Sequence, residues 1–417
     1  MSSLPGALPQ KARSISAFLS ASASCTGPAV IASVGYLDPG NFATNLQAGA
    51  SYGYRLLWVV VVANVIAMLF QAMSAKIGIV TNRNLPELCR QHFARSTVIG
   101  MWLASELAAM ATDLAEFLGG ALAFSLLLHL SLMTGMVLTG LMTYAILMLQ
   151  KRGFRTIELV IGMLVTVIGI SLLAEFWVLP QDWHGILQGT LTPYIGDSGA
   201  VTIAVGIIGA TIMPHTLYLH SGLMQNRAPI GSIRDKQSLI RFSNREVVLA
   251  LGFAGLVNMA MLASASAGFH LQAPQTADIG QAYTLLRNVL GGSAAGLFLI
   301  ALLSSGVSSS VVGTMAGQII MQGFVNFTIP VLLRRVITAA PAFVIVALGC
   351  DVSRLMILSQ VVLSLVLPLP MIALLVLSRR PAVMGAFVSG RMSRIAAYGA
   401  TVLILILNVY LLIQAVR

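Results

Sequence analysis

The sequence predicts an all-α integral membrane protein of eleven spanning helices, and composition, the recurrence of long apolar runs and the placing of the basic residues predict it. Of 417 residues, 57% are hydrophobic and 9% charged, whereas soluble domains carry roughly half and a quarter. Such a chain has too little polar surface to cover a core in water. Apolar runs recur from Pro28 almost to the C-terminus, many of them near the length of about 20 residues that a helix needs to cross the hydrocarbon of a bilayer. A single transmembrane domain over 1–417 follows, not a set of soluble ones.

Taking polar and Gly/Pro-rich clusters as loops places the spans near 28–50, 56–76, 97–123, 128–150, 156–179, 199–224, 246–269, 293–321, 329–350, 355–378 and 395–416. Met1 to Arg13 is polar, with two basic groups and no short apolar stretch before a small-residue cleavage site. A removable signal peptide is therefore not expected, and the N-terminus is expected on the cytoplasmic side. The internal segments then hold Lys11 and Arg13; Lys76, Arg83, Arg90 and Arg95; Lys151, Arg152 and Arg155; five basic residues from Arg227 to Arg245; Arg334 and Arg335; and Arg379, Arg380, Arg391 and Arg394. That is 20 of the 24 Lys and Arg, with Arg55, Arg287, Arg354 and Arg417 outside. Reversing the topology reverses the bias, so the count supports both spans and orientation. The formal charge of +11 is then a signal of topology, and binding to nucleic acid is not expected. An odd number of spans puts the C-terminus outside. Cys25 and Cys89 fall at the cytoplasmic side and Cys350 near the outer face, without disulfide or metal-site spacing.

Two spans are interrupted. In the first, Gly35-Tyr36-Leu37-Asp38-Pro39-Gly40-Asn41 puts a carboxylate, a proline and glycines into an apolar run; in the sixth, Ala210-Thr211-Ile212-Met213-Pro214-His215 does something similar. Proline removes a donor and clashes with the carbonyl one turn earlier, so both helices should open and free backbone oxygens. Spans one and six are corresponding members of two halves of five. Matching breaks of this kind point to a midplane site between inverted repeats, here about 28–179 and 199–378, with an extra helix at 395–416.

A carboxylate at mid-bilayer costs about 2.5–3.5 kcal/mol on insertion scales and normally marks a pathway, a partner or an ion. Asp38 is such a residue, with helix capping as its alternative. Asn41 could bring a side-chain carbonyl to the same spot, although Asn after Gly is also ordinary turn chemistry. Met213, one of 20 methionines, would alone be packing. Facing a second broken helix with Asp and Asn, its thioether gives a mixed set that suits a first-row transition ion better than magnesium or calcium. His215 stands open as ligand, proton carrier or satisfied intramembrane histidine. On the third span, Asp113 lies about 20° and Glu116 about 80° round the helix from Glu106, so the three acids share one face. That face reads either as a proton relay or as an ion-pair network with Arg334 and Arg335. Gly49-Ala50-Ser51-Tyr52-Gly53 matches a nucleophile-elbow pattern without a strand before it, and no H-E-x-x-H occurs, so hydrolase chemistry is not expected. Gly313-Thr314-Met315-Ala316-Gly317 reads as a close helix contact.

Asp38-Pro39-Gly40-Asn41, Met213-Pro214-His215 and the eighth-span stretch from Gly306 to Phe324 resemble the motifs of the natural-resistance-associated macrophage protein (Nramp) metal-ion transporters, in the family's order. Val307 stands where the signature often has glutamine. The resemblance implies an amino-acid-transporter-like inverted-repeat fold and symport of divalent metal, manganese or iron, with protons. Carried over by motif, Asp38, Asn41, Met213, the carbonyl of Ala210 and, on a looser match, Gln360 would bind the metal. Glu106, Asp113, Glu116, His215, His220, Arg334 and Arg335 would fall on the proton pathway. It further implies no cofactor, with metal ions and protons as substrates, a bilayer as surroundings and no obligate protein partner. The compact chain fits a bacterial member in the cytoplasmic membrane. Three other readings are a magnesium-transporting branch of the family, a sodium-coupled amino-acid symporter of the same fold, and an intramembrane enzyme. A buried Asp beside a thioether opposes a substrate carboxylate and favours a cation.

Overall fold

Lipid offers no partner to a backbone N–H or C=O, so a spanning segment must bond within itself. A computed structural model, which describes residues 27–149, 154–226, 233–270 and 279–416, is helical in every regular element among those residues. The sequence readings on Lys11, Arg13, Cys25, Lys151, Arg152, Arg227 and Arg417 lie outside the described residues. The order is α1 (Pro28–Val34), α2 (Pro39–Tyr52), a 3-10 turn (Gly53–Leu56), α3 (Leu57–Thr81), α4 (Leu85–His92), α5 (Arg95–Leu128), α6 (Leu132–Met148), α7 (Phe154–Val178), α8 (Trp183–Leu191) and α9 (Ser198–Thr211). It continues as α10 (Pro214–Leu223), α11 (Ile233–Phe269), α12 (Ile279–Leu290), α13 (Gly292–Val325), α14 (Val331–Ala347), α15 (Val352–Val366), α16 (Pro368–Ser378), α17 (Pro381–Met384) and α18 (Arg391–Val416).

Helix occupies each of the eleven predicted spans, and the first and sixth are broken where expected, into α1/α2 and α9/α10. Pro39 and Pro214 each open the resuming helix, where a missing N–H leaves no bond unmade. The tenth span is also divided, at Pro368. By length and composition eight stretches could cross a membrane, because α2 and α3 run together as Pro39–Thr81 and both α6 and α14, of 17 residues each, fall short. The number of crossings therefore rests on the sequence reading.

Two structural needs fix the broken first span. Asn258 of α11 donates to the Tyr36 carbonyl at 2.7 Å and Ser305 of α13 to the Leu37 carbonyl at 2.5 Å, while Asn45 donates to Asn258 at 3.0 Å. The oxygens freed by the break are thus bonded by side chains of α11 and α13. The scaffold is tight enough to hold them. A Cβ on Gly306 would come within 2.8 Å of the Gly120 nitrogen, so glycine lets α13 lie against α5 backbone to backbone. The outward faces carry large apolar groups such as Leu249, Met163, Ile170 and Ile406, all exposed, which suits a surface solvated by lipid.

Candidate metal centre and its acidic flank

Both breaks open onto one buried point. Asp38 caps α2 and accepts from the backbone N–H of Gly40 at 3.0 Å and of Asn41 at 2.9 Å. The alternative of a capping Asp is therefore realised, and among the described residues the carboxylate is linked to the second break only through the side chain of Asn41. The Asn41 amide nitrogen donates both to Asp38 Oδ1 at 2.6 Å and to the Ala210 carbonyl at 3.0 Å, across the gap between α2 and α9. Ala210 has a free carbonyl for a reason written in the sequence: its helical partner four residues on would be the N–H of Pro214, which does not exist. Thr211 Oγ1 donates to Asn41 Oδ1 at 3.5 Å.

Met213 caps the start of α10, and a Cβ added to Gly35 would stand 3.2 Å from its sulfur. Gln360 of α15 is fully buried. Its amide lies against Gly40, where a Cβ would strike it and would come within 2.7 Å of Asp38 Oδ2. Gln360 Nε2 donates to Ser359 Oγ at 3.1 Å, and Oε1 has no hydrogen-bond partner among the described residues. The structure thus brings Asp38, Asn41, the Ala210 carbonyl and Gln360 together, and the Met213 sulfur lies by Gly35, three residues before Asp38. The set offers one charged oxygen, neutral oxygens and a thioether. Among the described residues no group of three His, Cys, Asp or Glu could hold a metal ion.

The acidic face of α5 looks onto α14. Glu106 accepts from Arg334 at 2.8 Å and Asp113 from Arg335 at 2.5 Å; Glu116 stands 3.9 Å from Arg335. Arg334 also donates to the Gly317 carbonyl, and Arg335 lies 4.6 Å from the centre of the Phe117 ring. The Gly313 and Gly317 pair of the sequence finds its use here. A Cβ on Gly313 would approach Glu116 Oε1 to 3.1 Å, and one on Gly317 would strike the Arg334 guanidinium. His215 reaches this flank from α10, its Nδ1 at 3.3 Å from Thr112 Oγ1. Thr112, Asp113, His215, Arg334 and Arg335 line a cavity of about 10 Å³, close to the space one water occupies. The ion-pair reading of the acidic face is thus observed, with a water-sized gap beside it.

A family model described as natural resistance-associated macrophage protein-like matches residues 29–414. The chain belongs to the Nramp family. It is 64% identical to the divalent metal cation transporter MntH of Burkholderia ambifaria over 92% of this chain and 87% of that protein. With the protein of the same name from Granulibacter bethesdensis the identity is 57%, over 93% and 88%. Among solved structures, the manganese transporter of Eremococcus coleocola aligns with a TM-score of 0.85 at 32% identity, covering 97% of this chain and 87% of that one. Mhp1, a nucleobase-cation-symport-1 family transporter, aligns at a TM-score of 0.61 and 12% identity over 93% of this chain and 92% of its own, which is a likeness of fold alone.

In this Nramp chain His220 lies apart from the acidic flank. Its Nδ1 is 2.8 Å from Gln71 Oε1, and Gln71 Nε2 donates to Tyr36 Oη and Thr216 Oγ1, each at 3.0 Å. Thr216 in turn donates to the Met213 carbonyl at 2.9 Å. This network ties α3 to both breaks, and Gln71 is a residue that the sequence reading missed. An amide inside a long apolar run was its available signal. Asn258, an amide in another apolar run, was missed with the same signal, and Gly35, Thr112, Thr216 and Ser305 were missed because small or hydroxyl side chains in apolar helices give none.

Proposed function

We propose that this chain is a proton-coupled symporter importing divalent transition-metal ions, manganese and iron, across a bacterial cytoplasmic membrane, with the N-terminus inside and the C-terminus outside. Nramp proteins are transporters, not enzymes, and divalent metal cations are the cargo named for the relatives. The observation that carries the reading is the meeting of Asp38, Asn41, the Ala210 carbonyl and Met213 at the two facing breaks. The metal is substrate, and no cofactor or obligate protein partner is required. The repeats at 28–179 and 199–378, with the extra helix at 395–416, would then be the two bodies between which the site alternates access.

The chemistry follows from charge. One carboxylate offsets half the charge of a divalent ion, and the neutral oxygens and sulfur offset none of it. A proton held on the α5–α14 flank is repelled by the arriving ion, and His215 stands between the two sites with Thr112 and the water-sized gap beside it. Coupling by this route needs Asp113 and Glu116 to exchange protons against Arg335, whose distances of 2.5 and 3.9 Å hold the two acids unequally. Against the magnesium-transporting branch stands the sulfur of Met213, a ligand that a hard ion does not favour.

Purified protein in liposomes loaded with a pH dye tests the proposal. Manganese and iron should enter with internal acidification and should not be displaced by magnesium. Manganese entry at an unchanged internal pH would remove proton coupling, and uptake of magnesium in preference would move the chain to the other branch.

A further inference from the structure

Between the fifth and sixth spans, where the sequence reading places a loop, the chain forms α8, a helix of 9 residues. At 100° per residue its sides divide three ways. Trp183, Leu187 and Leu191 follow one another about 40° apart on one side, and they are 59%, 61% and 71% exposed. His184 and Gln188 form the next side and are exposed as well. Gly185, Ile186 and Gly189 form the third, turned to the protein. A helix packed on a protein in water needs only a dry side and a wet one. A third side, apolar and uncovered, fits a helix lying where protein, hydrocarbon and water meet.

Its neighbours show which phase covers that side. It runs on into the end of α7, where Trp177 and Val178 are exposed. The Trp183 ring stands 5.7 Å from that of Phe176 and 6.2 Å from that of Trp177, between centroids. Indole rings gather at the headgroup level of a bilayer, where the ring is dry and its N–H is wet.

The protein side rests on one short segment, residues 52–55. A Cβ on Gly189 would strike the Tyr54 carbonyl oxygen, and one on Gly185 would stand 2.8 Å from the Tyr54 ring. The two glycines therefore let α8 lie directly on the 3-10 turn. The Asp182 N–H donates to Tyr54 Oη at 3.3 Å, the Arg55 guanidinium lies 5.0 Å from the centre of the Tyr194 ring, and Tyr52 Oη donates to Asp197 Oδ1 at 2.7 Å. Tyr52 ends α2, the helix that Asp38 caps.

We propose that α8 is an interfacial lipid-binding brace: Trp183, Leu187 and Leu191 enter the phospholipid layer just below its headgroups, and Gly185 and Gly189 fasten the seated helix to the turn that follows α2. The bilayer thus holds one end of a helix whose other end carries Asp38. The partner is a phospholipid surface, and because the apolar side bears no charge it selects no particular headgroup.

The test uses the full chain in phosphatidylcholine vesicles with bromine placed either high on the acyl chain or near its end. The emission of Trp183 is read as the difference between the parent and Trp183→Phe. It should be quenched about twofold more by the shallow bromines than by the deep ones, as a ring at headgroup level requires. Quenching by aqueous acrylamide but by neither lipid would place α8 in water and overturn the proposal. Stronger quenching by the deep bromines would overturn it too. This arm needs only one conservative change at an exposed ring, and it decides the lipid seat whatever the other variants do. For the brace, Leu187→Gln combined with Leu191→Gln should quicken hydrogen exchange at the amides of Gly53–Leu56 about threefold or more. Ile406→Gln, at a similarly exposed position on α18, should leave them unchanged. Gly189→Ala should quicken the same amides and keep the Trp183 quenching ratio, since it parts the helix from the turn and not from the lipid. Unchanged exchange in both α8 variants overturns the brace, and so does equal quickening by Ile406→Gln.

Discussion

Asp38 holds its place by hydrogen bonds alone: two backbone N–H groups and the Asn41 amide reach it, and none of the ion pairs among the described residues includes it. On the proposed reading an arriving cation would bring Asp38 a full positive charge that no ion pair among the described residues supplies. Asp38→Asn keeps the shape and the cap while removing that charge. Metal uptake should fall to background with the protein still folded, as a thermal melt and an unchanged size-exclusion profile would report; near-normal uptake would put the metal site elsewhere. Met213→Ala probes the neutral side of the same set. Some manganese transport should survive, cadmium affinity should drop by about tenfold, which corresponds to 1.4 kcal/mol, and excess calcium or magnesium should begin to compete. Equal resistance of parent and variant to that competition would remove the thioether as the selective group. At this scale the sequence was legible where proline or charge interrupted an apolar run, which is why Asp38, Asn41, Met213 and His215 could be read. The Ala210 carbonyl came through the family motif, and Pro214 four residues on supplies its physical reason. Gln360 came only through the family motif, because a lone amide in a span has no spacing to betray its partners.

Between elements, the α5–α14 interface carries the three acids and two arginines. Asp113→Asn leaves every residue of the metal centre in place and removes a titrating group. It should leave manganese binding, measured by calorimetry, largely intact while lowering the protons carried per metal. Collapse of binding with a normal ratio in the residual transport would make Asp113 a ligand or a purely structural partner. Removing one member of a buried pair typically costs about 3–5 kcal/mol; Glu116, already 3.9 Å from Arg335, can take over part of that role, so the loss of stability should fall below this range. Glu106→Gln should be milder still, since Glu106 keeps 18% of its side chain exposed. The facing of acids was legible from the 100° helical step, and the pairing with Arg334 and Arg335 was one of two readings. The short α4 was not read, although its signal was there. Asn84 and Glu87 form a capping box, each side chain accepting from the other's backbone N–H at 2.9 and 3.0 Å. Asn258 and Ser305, which satisfy the broken backbone of the first span, lie 222 and 268 residues from their partners, and no local pattern announces so distant a bond.

For the whole molecule, the basic asymmetry predicts which surface faces which compartment. In a cysteine-free background of right-side-out vesicles, a cysteine placed near Arg380 should be shielded from an impermeant external thiol reagent and one near Asp182 should react. Labelling of the reverse pair would sink the eleven-span topology. The breaks, the helices and their order were legible because lipid forces each span to be helical and long. The merging of the first two spans through Gly53–Leu56 was not, since a 3-10 turn leaves hydropathy unchanged. The bond from Asn41 to Ala210 has a meaning for the return half of a transport cycle. If the proposed site carries the metal, an amide nitrogen that satisfies the carboxylate of one helix and the carbonyl of another would act as a placeholder for cargo, so a carrier that has released its ion would not be left with bare oxygens facing each other. The empty protein would then travel back as one closed piece, and loading it would ask for the turning of a single amide. Asn41→Ala should therefore slow net uptake, which needs the empty return, more than it slows metal-for-metal exchange, which does not; equal slowing of both would leave Asn41 a ligand alone.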